Sequence, residues 1–381
     1  MTPNCLRAAD QRITKGALMH NRRNSLLMSR RDVLRYAGLG ALAATLPLSV
    51  HRVAKAQGKT LNVAGYGGAL NNYLTKDFAE PFEQKTGIKV NFGSGASLAL
   101  AKLQTMSGSA AQWDMINLTG GEYVEAVKQK LIVPYDYNVI DASHVPPEYK
   151  EEYGIKFSLY LFVMCWDRKK MPDDKAPKSW TEFWDTQRFP GKRSLDANIS
   201  DGSTLEQALL ADGVPIDKLF PLDVERALKS LDKLGRGNII WHNANQEPIQ
   251  QLTSGAVTLA AAFDGRVLLG NKSGADLGFT PNGAAVSGNY YCVSSASANK
   301  PEAMRFLNFM LTDNQGGAAY MEATAYAIPN TAALPLVSKG IQDILPTNPA
   351  LSGKVFIKND AWWAANLDKT VQRFKEWQLA G

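Results

Sequence analysis

The side chains that could do chemistry in this sequence are spaced for binding rather than for catalysis. Two of the four histidines, His20 and His51, stand near the amino terminus, and neither His144 nor His242 has a second imidazole or a cysteine at the spacing of a zinc site. No G-x-S-x-G segment marks a serine nucleophile. We therefore expect no catalytic residue, no metal site and no cofactor.

Glycine pairs follow two segments that read as strands, "TLNVA" and "WDMINLT". Each pair precedes a predicted helix, so its backbone N–H groups are placed to receive a polar or anionic group of a ligand. The first pair, in "GYGGAL", is similar in sequence to a dinucleotide-binding turn. Leu70 stands in place of the third glycine of that motif, which argues against a dinucleotide. Both turns fit the rim of a binding crevice at the carboxyl ends of strands. The candidate residues at these turns are Gly67, Gly68, Thr119, Gly120 and Gly121.

Strand-like and helix-like patterns alternate through the chain after residue 56. "TLNVAGY", "IKVNFGSG" and "WDMINLTGG" predict strands, and each precedes apolar residues at helical spacing, the first such helix ending at Gly87. A second alternating series follows "SLYLFVMCWDRKK". This alternation predicts an α/β fold with mostly parallel sheets covered by helices on both faces. A length of about 325 residues is enough for two domains.

The first 56 residues have the features of an export signal. Arg30 and Arg31 lead into the uncharged run Ala37–Val50, which is shorter than the roughly 20 apolar residues of a membrane span. "AKAQ" then offers a cleavage site after Ala56. The paired arginines are similar to a twin-arginine signal, although Val33 replaces the usual aromatic residue and leaves the general secretion route open. We expect a periplasmic protein.

The basic character of the whole chain belongs to this leader. Residues 1–56 hold 10 Lys and Arg against 2 Asp and Glu, so 32 basic and 34 acidic residues remain of the chain's 42 and 36. The net charge of +6 thus becomes −2 after cleavage. A nucleic-acid partner loses its support.

Two cysteines remain after the leader, Cys165 and Cys292, both in apolar runs. Buried thiols are one interpretation. A disulfide in an oxidising compartment is the other, and the sequence leaves both open.

Several motifs after the leader occur in a characteristic order: "LNVAGYGGALNNYLTKDFAEPFEQKTGIKVNF", "AKLQTM", "WDMINLTGGEYVEAV", "SWTEFWD", "FPGK", "LTSGAVTLAAAFDGR", "NKPEAMRFLNFML", "AIPNTAA" and "FIKNDAWW". This order resembles the polyamine-type periplasmic solute-binding proteins of ABC importers. The resemblance implies the two-lobed periplasmic binding protein fold (type II), in which each lobe is a mostly parallel sheet flanked by helices and a hinged cleft lies between the lobes. It places lobe 1 at residues 57–165 plus 289–331 and lobe 2 at residues 166–288 plus 332–381. It also implies a monomer that captures a small solute and passes it to permease subunits in the membrane.

Carried over position by position, the resemblance implies five cleft residues whose aromatic or acidic side chains could contact an amine ligand. Tyr66 matches an aromatic residue that lies along the methylene chain of a polyamine, and Phe263 matches a tryptophan of the family. Trp241 is a further aromatic that could face an ammonium group. Asp264 stands where the family has asparagine, and Asp201 keeps one acid of an expected pair.

The sequence departs from the family where a strand-borne acid should grip an amine. Gly288, Asn289 and Tyr290 stand there without a carboxylate, and we retain Asn289 and Tyr290 as cleft candidates. Arg266 adds a cation that suits a ligand carboxylate. These changes favour a ligand with one amine and one acidic group, such as 4-aminobutyrate, over spermidine, and a polyamine stays open. Core packing is the alternative for Phe263 and Trp241, and a surface position is the alternative for Arg266.

The predicted function is therefore that of a substrate-binding component of an ABC importer, not an enzyme. A secreted two-lobed enzyme, transferase-like, is an alternative that turnover of the ligand would reveal. An iron-binding protein is another, because Tyr290 and Tyr291 form a tyrosine pair.

Overall fold

The computed structural model describes residues 59–107 and 111–380, so the predicted export signal lies outside the described residues. The strands are β1 (Thr60–Ala64), β2 (Lys89–Gly93), β3 (Met115–Thr119), β4 (Lys150–Glu151), β5 (Gly154–Asp167), β6 (Arg193–Asp196), β7 (Ile239–His242), β8 (Leu259–Phe263), β9 (Leu277–Val293) and β10 (Phe356–Ile357). The α-helices are α1 (Gly68–Leu74), α2 (Glu80–Thr86), α3 (Leu98–Met106), α4 (Gly120–Lys128), α5 (Trp180–Trp184), α6 (Thr204–Ala211), α7 (Val224–Leu234), α8 (Glu247–Ser254), α9 (Asp264–Lys272), α10 (Lys300–Thr312), α11 (Asn314–Thr324), α12 (Lys339–Gln342) and α13 (Asp360–Leu379). A π-helical segment, Thr75–Ala79, joins α1 to α2, and short 3₁₀ helices occupy Pro147–Tyr149, Ile216–Lys218, Arg236–Asn238, Leu334–Leu336 and Pro349–Leu351.

The strands form one sheet in the order β2-β1-β3-β9-β5-β8-β6-β7, with β4 added to β5 and β10 added to β9. At both outer parts the neighbours are parallel: β1 with β2 and β3, and β6 with β7 and β8. In the middle, β9 is antiparallel to β3 and β5, and β5 is antiparallel to β8. The parallel parts agree with the alternation of strand and helix in the sequence. The antiparallel centre consists of two long strands that this alternation does not predict.

These two long strands connect the halves of the sheet. β5 has 14 residues and is buried along nearly its whole length, and β9 has 17. An apolar strand buried on both faces needs helices on both sides of the sheet. We call β1–β3 with α1–α4, α10 and α11 lobe 1, and β6–β8 with α5–α9 and α13 lobe 2. The residue boundaries expected for the lobes stay a prediction.

Helices cover each lobe on both faces. In lobe 1, Phe78, Phe82 and Phe306 pack on one face of the sheet, while α3 and α4 cover Ile116 and Leu118 on the other. In lobe 2, the buried side chains that α5, α6, α7 and α13 contribute to the core include Trp180, Phe183, Leu205, Leu231, Trp363 and Phe374. Each such side chain contributes about 1.5–3 kcal/mol when it leaves water. The core that contains the lobe 1 phenylalanines also continues past the central strands to Ile249, Leu252 and Val267 of α8 and α9, so the two lobes share one face of the sheet core.

The sequence patterns predict most of the longer elements but miss β7, α9 and α13, and also the short elements β4, β10 and α12. β7 has only four residues, which is too short for a clear pattern. α9 begins at Asp264, directly after the last residue of β8, so no loop residues in the sequence mark where this helix begins. α13 is a 20-residue helix whose buried residues, Trp363, Thr370, Phe374 and Trp377, are separated by charged ones. Beside its buried face, α13 contacts α4 of lobe 1 as well as α7 of lobe 2.

The two cysteines are free thiols in the structure. Cys165 on β5 and Cys292 on β9 are both buried, which agrees with the interpretation as small apolar residues. Burial raises the pKa of both thiols. No helix in residues 59–107 or 111–380 is long and apolar enough to span a membrane.

Candidate ligand-binding cleft

A cavity of about 540 Å³ lies between lobe 1 and lobe 2. Its walls come from the first turn of α4, the loop that follows β6 and the first turns of α13, with Tyr160 of β5 and Ser287 of β9 between them. One lysine, Lys358, lines this space together with five carboxylates: Glu122, Glu125, Asp201, Asp360 and Asp368. We call it the acidic cavity.

A small polar pocket of about 30 Å³ adjoins the acidic cavity through their shared residue Tyr160. Its polar lining residues are Tyr66, Asn71, Asn117, Ser158, Tyr160, Asn289, Tyr291, Tyr320 and Tyr326, and we call it the tyrosine pocket. The Oδ1 atom of the buried Asn117 side chain receives no hydrogen bond from the part of the chain that is described. Because the space holds one or two groups of the size of water, it suits the end of a small ligand.

A third cavity, of about 930 Å³, lies on the other side of the tyrosine pocket and shares Tyr66 and Tyr326 with it. α1, α9 and the end of α11 form its walls. Its charged residues are Arg266, Lys272 and Glu322, and we call it the Arg266 cavity. The cleft therefore has an acidic side and a side with a basic excess.

Protein groups already engage two of the carboxylates in the acidic cavity. Glu122 accepts hydrogen bonds from the main-chain N–H and the hydroxyl of Thr119, at 3.1 and 3.0 Å, and from the N–H of Leu98 at 3.0 Å. Asp360 pairs with the ammonium of Lys156 at 2.7 Å. A Cβ on Gly120 would stand 2.0 Å from Cγ of Asp360, so only glycine fits there. Protein carboxylates thus fill the amino end of α4, where we had expected a ligand acid.

Among the charged groups that line the acidic cavity, the side chains of Asp201, Lys358 and the exposed Asp368 have no hydrogen-bond or ion-pair partner in the described part of the protein. Neither the carboxylate of Asp201 nor the ammonium of Lys358 has an ion pair or hydrogen bond within residues 59–107 and 111–380. Lys358 is only 8% exposed, and its ammonium faces the ring of Trp363 at 5.8 Å from the centroid. Burial raises the pKa of Asp201, the charge of Lys358 lowers it and Asp196 raises it further. The two opposite charges therefore influence one another across the cavity.

Most of the residues predicted from the sequence lie in the cleft. Tyr66 is 45% exposed, and its pKa is raised by burial and by Glu122 and Asp201. Arg266 lines the cavity that we named after it and has no ion pair among the described side chains. The remaining predicted residues that line one of the three spaces are Gly67, Thr119, Gly120, Gly121, Asp201 and Asn289. Gly68 begins α1 at φ 63°, beside Gly67 at φ 87°, and both need the freedom of glycine.

Asp264 lies elsewhere, which corrects the expectation that it holds an amine. Its side chain is 0% exposed, and its carboxylate accepts hydrogen bonds from the N–H groups of Leu161, at 3.1 Å, and Gly265, at 2.7 Å. Burial raises its pKa to about 7 against the effect of these bonds. Phe263 is also buried and meets Tyr160 and Phe162 edge to face, so it supports the cleft from behind. At the junction of β8 and α9, both side chains therefore point into the protein and not into the ligand space.

Trp241 and Tyr290 are likewise packed between elements. Trp241 meets Phe374 and Trp377 of α13 edge to face. Tyr290 stacks on Tyr123 with 4.0 Å between ring centroids, and its hydroxyl lies 3.5 Å from Asp360. Successive residues of a strand face opposite sides, so Tyr291 and Asn289 line the tyrosine pocket whereas Tyr290 does not. The two adjacent tyrosines do not converge on one site.

Sequence reasoning missed Lys358, Asn117, Tyr160 and Tyr326 as cleft residues. Lys358 follows β10, and its N–H donates to the carbonyl of Val286 in β9, a pairing between distant segments that no local pattern shows. The one feature of the sequence that could have indicated Lys358 is its position inside "FIKNDAWW", next to apolar residues. In residues 59–107 and 111–380 no group of three or more His, Cys, Asp and Glu is arranged to hold a metal ion.

Comparison with known proteins decides the family. A family model described as "Bacterial extracellular solute-binding protein" matches residues 77–350. The chain belongs to this family. The match to this family confirms the resemblance, and superposition on an ABC transporter substrate-binding protein confirms the fold class expected from the sequence.

Individual relatives of this solute-binding protein match almost along their whole length. The gamma-aminobutyric acid-binding protein of Pseudomonas aeruginosa is 30% identical over 349 residues, which is 90% of this chain and 97% of the relative. The crystal structure of an ABC transporter substrate-binding protein from Bradyrhizobium japonicum superposes with a TM-score of 0.76 at 30% identity, over 84% of this chain and 99% of that one. A solved GABA receptor superposes with a TM-score of 0.73 at 28% identity, over 84% and 98%. These relatives are transport proteins rather than enzymes.

Proposed function

We propose that this solute-binding protein captures a small zwitterion, with one ammonium and one carboxylate joined by a short methylene chain as in 4-aminobutyrate. The observation that carries the proposal is the pair Asp201 and Lys358. These two opposite charges line one cavity, and the described protein supplies neither of them with a hydrogen bond or an ion pair. The ammonium of the ligand is assigned to Asp201 and its carboxylate to Lys358.

The energetic reason is the cost of leaving a charge unpaired away from water. A buried ion without a partner costs several kcal/mol, and a well-placed opposite charge offsets that cost. A zwitterion supplies both partners at once, whereas a diamine would place a second ammonium near Lys358. The aromatic rings of Tyr66 and Tyr160 suit the methylene chain and the face of an ammonium group.

The relatives support the same class of ligand. Two of them, at 30% and 28% identity, are named for binding gamma-aminobutyric acid. That compound has one amine and one carboxylate, which matches the charges of Asp201 and Lys358.

A diamine or polyamine is the second candidate, because five carboxylates line the acidic cavity. Two of these, Glu122 and Asp360, already have partners in the protein. Asp368 is exposed, and Glu125 lies within 3.7 Å of Lys128. The acids that remain without a partner are therefore fewer than the lining suggests.

Calorimetry on the purified protein with 4-aminobutyrate, 1,4-diaminobutane and butyrate tests the assignment. We expect the zwitterion to bind at least about tenfold more tightly than either comparison compound. Lys358→Met should weaken 4-aminobutyrate by about 2–5 kcal/mol, and Asp201→Asn should weaken both amines. Lys369→Met and Asp217→Asn, at exposed positions outside the cavity, serve as matched controls. Tight diamine binding that Lys358→Met leaves unchanged would instead support the polyamine assignment.

We further propose that the protein works as a monomer in the periplasm and delivers its solute to the permease of an ABC importer. This part rests on the family and on the predicted leader. Amino-terminal sequencing of secreted protein should begin near Gln57, and an intact amino terminus would refute cleavage. Replacing Arg30 and Arg31 with lysine should stop export if the twin-arginine route is used.

A further inference from the structure

Strand β5, which connects the two halves of the sheet, contains one extra residue. Phe157 pairs with Asn289 of β9, and Tyr160 pairs with Ser287. Three positions along β5 thus lie opposite two positions along β9, which makes a β-bulge. Ser158 has a left-handed backbone at this bulge, with φ 50°, although it is not a glycine. Such a conformation persists only where the surrounding structure holds it.

The bulge determines the direction of the Tyr160 side chain. In an uninterrupted strand, residues three positions apart face opposite sides of the sheet, so Tyr160 would face away from Phe157. Ser287 and Asn289 are two positions apart in β9 and share one side, and residues opposite each other in an antiparallel pair also share a side. The extra residue therefore brings Tyr160 to the side on which Asn289 lines the tyrosine pocket and Ser287 lines the acidic cavity.

The bulge also attaches a distant loop to the tyrosine pocket. Leu159 exchanges backbone hydrogen bonds with Ala327, at 2.7 and 2.9 Å, and not with β9. Tyr326 stands directly before Ala327, and its ring lies beside that of Tyr160 with 5.8 Å between the centroids. The same bulge thus places two of the tyrosines that line the pocket.

Tyr320 of α11 holds the bulged serine in place. Its hydroxyl and that of Ser158 form a hydrogen bond of 2.9 Å, and both side chains are buried. On the opposite strand, a Cβ on Gly288 would stand 2.8 Å from Cδ2 of Leu159 and 3.1 Å from the carbonyl oxygen of Phe157. The bulged strand occupies the space that a side chain at position 288 would need, which accounts for the glycine there.

We propose that Ser158 is a positioning residue for solute binding, because its left-handed backbone, fixed by Tyr320, turns Tyr160 towards the solute. Tyr160 lines both the acidic cavity and the tyrosine pocket, so a solute that extends from one space into the other touches this ring. The inference rests on the proposed function only for the identity of the solute, since the direction of Tyr160 is set without it.

Fluorine NMR of ligand-free protein labelled with 3-fluorotyrosine tests the direction of the ring, with the Tyr160 resonance assigned by its loss in Tyr160→Phe. Ser158→Val and Ser158→Gly both remove the hydroxyl, but valine disfavours a positive φ whereas glycine adopts it readily. We expect the Tyr160 resonance to shift several-fold further in Ser158→Val than in Ser158→Gly. The resonance of Tyr149, a core residue outside the pocket, should stay in place in both. Equal shifts of the Tyr160 resonance would overturn the proposal.

Calorimetry with 4-aminobutyrate measures the consequence for binding. Ser158→Val should bind at least about tenfold more weakly than Ser158→Gly. Ser254→Val, at an exposed site, should bind as the natural protein does. In a Tyr160→Leu background the difference between valine and glycine at position 158 should shrink to less than about threefold, because Ser158 acts through that ring. A difference that persists in full would contradict the proposal.

Ser158→Ala covers the case in which Ser158→Val does not fold, because alanine opposes the left-handed conformation less strongly than valine. The Tyr160 resonance should then move further in Ser158→Ala than in Ser158→Gly, and agreement between these two variants would refute the positioning role. Binding separates the two proposals. If the natural protein ignores 4-aminobutyrate while the Tyr160 resonance depends on position 158, the proposed function fails and the role of the bulge stands. If it binds 4-aminobutyrate and the valine and glycine variants have equal affinity, the positioning role fails and the proposed function stands.

Discussion

Asp360 and Lys156 form a buried ion pair across the two lobes, with 2.7 Å between Oδ2 and Nζ. Asp360 begins α13 of lobe 2, while Lys156 lies on the part of β5 that pairs with Tyr290, next to lobe 1. Lys156 is 3% exposed, and its ammonium also faces the ring of Tyr290. The absence of a side chain at Gly120 lets Asp360 approach this closely. The pair therefore holds the two walls of the acidic cavity together.

We predict that Asp360→Asn weakens solute binding because it leaves Lys156 buried without its partner whenever the lobes meet. Removing one partner of a buried pair costs about 3–5 kcal/mol, so a loss of affinity of about 10²- to 10⁴-fold is expected in calorimetry. The double variant Lys156→Met/Asp360→Asn should recover a large part of this loss because no charge is left unpaired. If the double variant binds as poorly as Asp360→Asn, the carboxylate acts on the solute directly.

A comparison of Lys358→Met with Arg266→Ala should identify the cation that holds the solute carboxylate. Lys358 shares its cavity with Asp201, whereas Arg266 lines the cavity beyond the tyrosine pocket. We expect Lys358→Met to reduce 4-aminobutyrate affinity by about 2–5 kcal/mol and Arg266→Ala by less than about 1 kcal/mol. The reverse order in calorimetry would assign the carboxylate to Arg266.

Asp264 should give the stability of the protein a specific pH dependence. Its pKa is about 7 in the folded chain against an ordinary value of 3.8, so the folded state binds the proton more tightly than the unfolded state. This contribution to stability is complete below about pH 4 and is lost as the pH rises towards 7. In urea unfolding, the free energy of unfolding of Asp264→Asn minus that of the natural protein should rise by about 2–3 kcal/mol between pH 5 and pH 8. A difference that is constant with pH would mean that Asp264 stays ionised.

Arg193 should be the arginine whose loss destabilises lobe 2 most clearly. It is fully buried at the start of β6 and donates to the carbonyls of Phe183, Gly191, Asp185 and Phe189 at 2.6–3.2 Å. Lysine cannot reach all of these carbonyls, and each one left without a donor costs about 1–3 kcal/mol. Arg193→Lys should therefore lower the free energy of unfolding by about 3–5 kcal/mol, while Arg188→Lys, on the surface, should change it little.

The sequence by itself determined the fold class and the family. Strand and helix periods alternate along the chain, and the alternation requires helices on both faces of a largely parallel sheet. The glycine pairs at the ends of β1 and β3 marked the edge of the sheet where the cleft lies. These features are local, so neighbouring residues are sufficient to specify them.

Only the tertiary structure decided which charges face the solute. Asp264 was the favoured amine partner, yet the start of α9 at that residue turns its carboxylate onto the amides of Leu161 and Gly265. Lys358 enters the cleft because β10 pairs with β9, more than sixty residues earlier in the chain. In β9 itself, the side chain of Tyr291 faces the pocket and that of Tyr290 faces Tyr123, a difference of one residue that pairing with distant strands determines. The direction of a side chain depends on such long-range contacts, which sequence periodicity does not contain.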